Sequence, residues 1–181
     1  MIVATLYTVG HGSRDVDELI AMLSDAGVRL VVDARSTPRS RRFPQFGYGP
    51  LGARLQAERI DYDWRRMLGE MRRTPERPRH PGLAEPSLQA YAEHMESAGF
   101  RAATQRLAAE AAERAVCILC AERDPARCHR ALIADWLVAQ GHRVVHLIAA
   151  GRSREHMLHA AARLDSGRLC YLGGGVQRQL F

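Results

Sequence analysis

The residues best equipped for chemistry form one run, Cys120-Ala-Glu-Arg-Asp-Pro-Ala-Arg-Cys128-His129-Arg130. It gathers thiols, carboxylates, an imidazole and guanidiniums within a few residues of one another. The preceding Ala115-Val-Cys-Ile-Leu-Cys120 reads as a buried strand, and Asp124-Pro125 supplies a helix N-cap followed by a proline at the first helical position. The pattern predicts a helix from about Pro125 to Gln140, with Cys128 and His129 in its first turn. Unsatisfied backbone N–H groups there favour anions and thiolates. Cys128 is thus a candidate nucleophile, against the alternative of an inert packed thiol. His129 is a candidate general acid–base or anion ligand, against that of a hydrogen-bonded helix-start histidine. Glu122 would orient or polarise a substrate, Arg130 would grip an anion, and Cys120 would either wall the site or pack in the core.

Cys117 and Cys120 stand three apart on the same strand and face opposite ways, which argues against a C-x-x-C zinc knuckle. Cys117 reads as core. No metal is expected, a structural zinc site through Cys120, Cys128 and His129 being the alternative. The chain has neither a GxGxxG spacing nor a GxxxxGK[ST] loop, so no dinucleotide or ATP cofactor is expected.

Two other strand exits carry polar residues. Val3 to Val9 reads as a first strand, followed by Gly10-His11-Gly12-Ser13, whose small residues let backbone amides approach an anion. Asp15 and Glu18 spell a capping box. Leu19, Ile20, Leu23 and Ala26 recur at helical spacing, and Gly27 stands where a helix-ending glycine belongs. Val28 to Val32 is a second strand, ending in Asp33-Ala34-Arg35. That β–α–β unit implies parallel strands and a right-handed crossover, and open parallel sheets bind ligands at the carboxyl ends of their strands. His11 and Ser13, Asp33 and Arg35, and Cys120 and Glu122 should therefore meet at one edge. His11 would handle protons there, and Asp33 would orient Arg35. Arg35, Arg39, Arg41 and Arg42, interleaved with Phe43 and Phe46, suit phosphate gripping with base stacking, or simply an exposed basic loop.

The elements around these exits are a loop over 36–50, a short helix Leu51–Glu58 and a short strand Ile60–Trp64. A proline- and arginine-rich stretch over 69–86 is a candidate lid. Helices near 87–98 and 101–113 precede the Ala115–Cys120 strand, Val144–Ile148 is a last core strand, 151–164 reads as helical, and the tail from Gly173 is glycine-rich. The pattern predicts an α/β fold, a single three-layer domain with a mainly parallel sheet flanked by helices (Rossmann-like). It occupies 1–150, with 151–181 a C-terminal helix and flexible tail, part of the same domain or an appendage. A length of 181 residues with 46% hydrophobic content suits one soluble domain. No run is long enough to span a membrane and no signal-peptide pattern opens the chain, so the expected location is cytoplasmic. The four cysteines do not resemble a secreted disulfide framework. Net charge is +6, and all 26 Lys-plus-Arg positions are arginine. Such a surface suits a polyanionic partner, nucleic acid or a nucleotide, as well as plain solvation.

Thr8-Val-Gly-His-Gly-Ser13, Val32-Asp-Ala-Arg-Ser-Thr-Pro-Arg-Ser40 with Pro44-Gln-Phe46, the Leu68-Gly69 step, Tyr91 to Phe100 and the Cys120–Arg130 block occur in that order. Together they resemble the bacterial and archaeal domain of unknown function 488 family. The resemblance covers roughly residues 5–150 and implies a cytoplasmic single-domain α/β protein without an established reaction. Gly12 departs from the serine or threonine that usually follows the histidine, and Ser13 offers a hydroxyl in its place. Separately, Gln177-Arg-Gln-Leu180-Phe181 resembles the Q-x-x-L-F peptide by which bacterial repair and replication proteins dock on the sliding clamp. A glycine tether and two apolar anchors suit that use, the alternative being that Leu180 and Phe181 pack back onto the domain. Two functions follow. One is an enzyme acting on a phosphate-bearing substrate, nucleic acid or nucleotide, at the carboxyl edge of the sheet. The other is a non-catalytic nucleic-acid-binding accessory protein, recruited to DNA repair or replication by that tail.

Overall fold

The structure, a computed structural model, describes residues 3–70 and 79–173. β1 (Thr5–Gly10), α1 (Val16–Asp25) and β2 (Leu30–Asp33) make the expected β–α–β unit. A 3-10 turn at Pro44–Phe46 leads to α2 (Tyr48–Ala57), β3 (Asp61–Trp64), α3 (Arg66–Gly69), α4 (Pro86–His94) and α5 (Ala98–Glu113). Then come β4 (Val116–Cys120), a 3-10 turn at Pro125–Arg127, α6 (Arg130–Ala139), β5 (Arg143–Ala149), β6 (Arg152–Glu155) and the hairpin β7 (Ala162–Asp165) and β8 (Arg168–Tyr171).

The main sheet runs β3-β2-β4-β1-β5-β6. Its first five strands are mutually parallel, and β6 joins the edge antiparallel. The apolar runs of β2 and β4 are buried along their whole length, as strands covered on both faces must be. On one face Leu6, Val32 and Ile118 pack against Tyr91, Phe100, Leu107 and Leu132 from α4, α5 and α6. On the other Val9, Val31, Cys117 and Leu119 meet Leu19 and Leu23 of α1 and Leu51 and Leu55 of α2. This is a three-layer, Rossmann-like α/β domain. Among the described residues no helix is long and apolar enough to cross a membrane.

Asp15 caps α1, accepting from the Asp17 amide at 2.9 Å. Glu18 does not close a capping box; its carboxylate pairs with the buried Arg14 guanidinium instead. A larger correction concerns residues 151–164. They form no helix but the strand β6 and the start of the β7–β8 hairpin. Helical propensity loses there to two tertiary attachments. β6 completes the exposed edge of β5, and His156 just beyond it enters a buried polar chain. In that chain Thr8 Oγ1 meets His146 Nδ1 at 2.7 Å, His146 Nε2 meets His156 Nδ1 at 2.8 Å, and His156 Nε2 meets Asp135 Oδ1 at 2.8 Å. The His159 amide and the Tyr171 hydroxyl also donate to Asp135, each at 2.9 Å. One carboxylate on α6 thus holds the polypeptide that follows the sheet. The central part of the candidate lid, 71–78, and the whole of Gln177, Leu180 and Phe181 lie outside the described residues.

Candidate functional site

Three strands end side by side. Gly10 pairs with Cys120 across β1 and β4, and Asp33 with Leu119 across β2 and β4. The ladder continues past the strand ends, with the His11 amide donating to Cys120 O at 3.0 Å, Gly12 to Ala121 O at 2.8 Å and Ala34 to Leu119 O at 2.9 Å. Gly10 makes this lacing feasible, because a Cβ there would stand 1.8 Å from the Glu122 carbonyl oxygen. Gly69 does the same on the far side, where a Cβ would lie 2.4 Å from the Arg35 carbonyl carbon.

Over these ends opens a hollow of about 360 Å³, lined by His11, Arg35, Arg39, Cys120, Glu122, Cys128 and His129. Seven of the residues expected at the site therefore converge. Three do not line it. Ser13 is exposed beyond a turn in which Gly12 takes a positive φ of 53°. Asp33 lies beneath the floor, fully buried. Arg130 is buried too, its guanidinium donating to the Glu122 carbonyl and, at 2.8 Å, to Arg123 O. It braces the Glu122–Arg123 loop through Nη1 and Nη2, while its Nε is buried without a partner.

The geometry of Arg35 changes its expected part as well. Asp33 accepts from its Nε at 2.9 and 3.0 Å and from its backbone amide at 3.0 Å, while Phe46 O accepts from Nη1 at 2.8 Å. Burial opposes the charge, yet the hydrogen bonds and charge of Asp33 hold the guanidinium above its ordinary pKa. Tyr62 donates its hydroxyl to the same carboxylate. Arg35 thus supplies a fixed field at the floor, with most donors already engaged.

His11 is stacked on Phe46 at 4.4 Å and nearly sealed. Its Nδ1 donates to the Gly12 carbonyl at 3.0 Å, leaving the Nε2 lone pair facing Arg35 Nη1 at 3.4 Å. Burial lowers its pKa, and Arg35 reinforces that against the Gly12 carbonyl and Asp33. The ring is thus favoured in its neutral form, its Nε2 lone pair met only by the long contact from Arg35 Nη1.

The thiols sit opposite. Asp124 and Pro125 do start a helical turn, with Asp124 accepting from the Ala126 amide at 3.0 Å. That turn lasts only to Arg127. Cys128 is extended (φ −132°, ψ 141°), His129 is the residue before α6, and the helix proper begins at Arg130. Cys128 and His129 are therefore not in the first turn of one continuous helix. The extended residue directs the Cys128 sulfur back to the end of β4, where its Sγ lies 3.1 Å from Cys120 Sγ. His129 Nε2 donates to the Ala34 carbonyl at 2.9 Å. Its Nδ1 consequently keeps a lone pair, 4.0 Å from the Cys128 sulfur and 3.9 Å from that of Cys120, which is equally distant from Nε2. Tyr91 packs on the His129 ring at 4.8 Å. The Cys120 hydrogen bond, then His129 and Arg130, outweigh burial and hold Cys128 well below the usual thiol range, while the same bond and burial push Cys120 up. Of the two sulfurs Cys128 is thus the one favoured to ionise, with the Cys120 thiol as its hydrogen-bond partner.

Among the described residues Cys120, Cys128 and His129 are the group able to share a metal ion, their donor atoms lying within 4.8 Å of one another. Two thiolates on one tetrahedral zinc stand roughly 3.8 Å apart, given Zn–S bonds of about 2.3 Å. The 3.1 Å between these sulfurs suits a shared proton better than a shared zinc. Reading the sequence missed Ser36, Thr37, Ser40, Ser87 and Arg127, which also line the hollow. Arg127 stands inside the Cys120–Arg130 run and Ser36, Thr37 and Ser40 inside the Val32–Ser40 block, whereas nothing marked Ser87. Arg39 and Arg127 are exposed and in no ion pair among the described residues.

The class these observations define is a parallel α/β domain carrying a thiol pair and arginines at the carboxyl edge of its sheet. The model of the family Domain of unknown function DUF488 matches residues 15–137, more than half of the 181-residue chain, and the protein belongs to that family. Comparison with curated proteins and with solved structures finds no match.

Proposed function

We propose that this DUF488 protein is an enzyme that acts on a phosphate-bearing substrate, a nucleotide or nucleic acid, through the Cys128 sulfur. The observation that carries the reading is the 3.1 Å approach of Cys120 and Cys128 at the floor of an arginine-rimmed hollow. A buried thiol needs help to ionise, and here another thiol and an imidazole supply it. Arg39 and Arg127 hold the phosphate at the rim as charge-assisted donors. Cys128 attacks the phosphorus, the bond from phosphorus to the leaving oxygen breaks, and that oxygen takes a proton from solvent. Water then releases the phosphoryl group from sulfur, the neutral His11 accepting the proton water gives up. Asp33 and Tyr62 act through Arg35, fixing the field under the reacting atoms.

The test offers nucleoside 5′-phosphates, single-stranded DNA and transfer RNA to the wild-type protein and to Cys128→Ser. Expected is turnover of at least one of them, reduced on the order of 10³-fold by the substitution, with anisotropy of a labelled DNA strand showing unchanged binding. Absence of any turnover, with Cys128→Ser merely weakening salt-sensitive binding, would establish the non-catalytic nucleic-acid-binding protein instead.

A further inference from the structure

We infer that Cys120 and Cys128 are also a peroxide-reducing pair, cycling between two thiols and an intramolecular disulfide that switches the hollow off. The inference shares with the proposed function its reading of Cys128 as the reactive sulfur. Closure of the disulfide requires the sulfurs to draw in by only about 1 Å from their 3.1 Å separation. One stands at the end of β4 and the other in the single extended residue between a 3-10 turn and α6, so no intervening element separates the two sulfurs. Both line a hollow that opens to solvent, so a small hydroperoxide can reach them.

The chemistry balances with one external oxidant, a hydroperoxide. The Cys128 thiolate attacks the distal peroxide oxygen, the O–O bond breaks, and hydroxide or alkoxide departs with the electron pair and takes a proton from solvent. Cys128 is left as a sulfenic acid. Cys120 then attacks the Cys128 sulfur while its proton passes to His129 Nδ1, which lies 3.9 Å from the Cys120 sulfur. The S–O bond breaks, and the departing hydroxide recovers that proton as water. In sum two thiols and one hydroperoxide give a disulfide, an alcohol or water, and one further water. An external dithiol reverses it by thiol–disulfide exchange. The two other cysteines do not compete on the same terms. Cys117 is sealed in the core, where burial pushes its thiol up, and Cys170 sits on β8 outside the hollow.

The experiment treats the intact protein with stoichiometric hydrogen peroxide, quenches, unfolds it and counts thiols. The chain has four cysteines, so bonding one pair leaves two thiols. Peptide mapping should locate the bond at Cys120–Cys128, and dithiothreitol should restore all four. In Cys120→Ser, dimedone should instead trap a sulfenic acid on Cys128. Four surviving thiols under peroxide, or a bond joining other cysteines, would overturn the inference, and the wild-type count decides this even should the variant fail to fold. No substrate is needed, so the two readings fail separately. Cys128-dependent turnover without a disulfide removes only the redox cycle. A disulfide without such turnover removes only the proposed enzyme.

Discussion

Two clusters of buried polar side chains, one holding Asp135 of α6 and one at the carboxyl ends of β1, β2 and β4, are built by opposite rules. In the chain from Thr8 to Asp135 every donor meets an acceptor. With Asp135 ionised, His156 Nε2 donates to it, His146 Nε2 donates to His156 Nδ1, and the Thr8 hydroxyl donates to His146 Nδ1. Tyr171 and the His159 amide fill the remaining positions on the carboxylate. In the hollow, by contrast, the His11 Nε2 and His129 Nδ1 lone pairs have only distant partners, and the Cys128 sulfur has one close partner, the Cys120 thiol at 3.1 Å. Capacity is left over, and it faces open space. Volume alone would mislead here. A roomier cavity of about 480 Å³ adjoins the first cluster, with Leu83, Leu88 and Leu132 among its walls beside Asp135, His146 and His156. There Asp135, His146 and His156 are already committed to one another, so the buried polar groups of that wall offer a ligand little that is directional. A clasp spends its hydrogen bonds internally, and a reactive site keeps some in reserve.

Asp135→Ala is the harshest way to break that comparison. It removes one acceptor from three donors and leaves a buried histidine chain without its terminus. Loss on the order of 3 kcal/mol is expected, read as a lower urea midpoint. The fraction that remains folded should keep native alkylation of Cys128. A loss below about 1 kcal/mol would deny the cluster its role as a clasp.

Acid should act on the same cluster next. Burial first, with His156, Arg130 and Arg154 reinforcing it, takes His146 from 6.5 down to about 3. The folded ring is thus neutral in a window where the unfolded one binds a proton. Its contribution to stability is complete above pH 6.5 and is lost as pH falls toward about 3. The slope approaches roughly 1.4 kcal/mol per pH unit for this one site. His146 ring resonances followed by NMR should stay unshifted down to about pH 4. A midpoint near the ordinary histidine value would show that water reaches the chain.

How much of this was written in the sequence differs between the clusters for physical reasons. The strand exits at His11, Arg35 and Cys120 were legible because Val-Val-Asp and Val-Cys-Ile-Leu-Cys are short apolar runs that end in polar residues, and parallel topology then dictates where they meet. The Asp124-Pro125 cap was legible as well. Its extent was not, because whether a turn continues depends on what Cys128 packs against, a partner eight residues back in another element. Arg130 reads as a surface cation until the Glu122 and Arg123 carbonyls are seen to enclose it. The clasp left no pattern at all. Thr8, Asp135, His146, His156 and Tyr171 are single polar residues in separate elements, and Arg152-Ser-Arg-Glu-His-Met-Leu-His carries helix-forming side chains that the open edge of β5 overrides.

The gentlest substitution sharpens the contrast most. Cys120→Ala takes the S–H donor from beside Cys128 and leaves the bond from His129 to Ala34 in place. In a clasp, loss of a partner would strand a donor and cost several kcal/mol. At the hollow the freed sulfur can turn to water or to His129, so stability should move by less than about 1 kcal/mol. The effect belongs instead in reactivity. Cys128 is held low first of all by that hydrogen bond, so its removal must raise the pH at which the thiolate forms. Iodoacetamide labelling followed against pH should show the Cys128 profile displaced upward in the variant, with His129 and Arg130 retaining part of the original depression. An unmoved profile would assign the acidity to those two residues alone. A collapse in stability would mean that the thiol pair is as tightly built into the fold as Asp135.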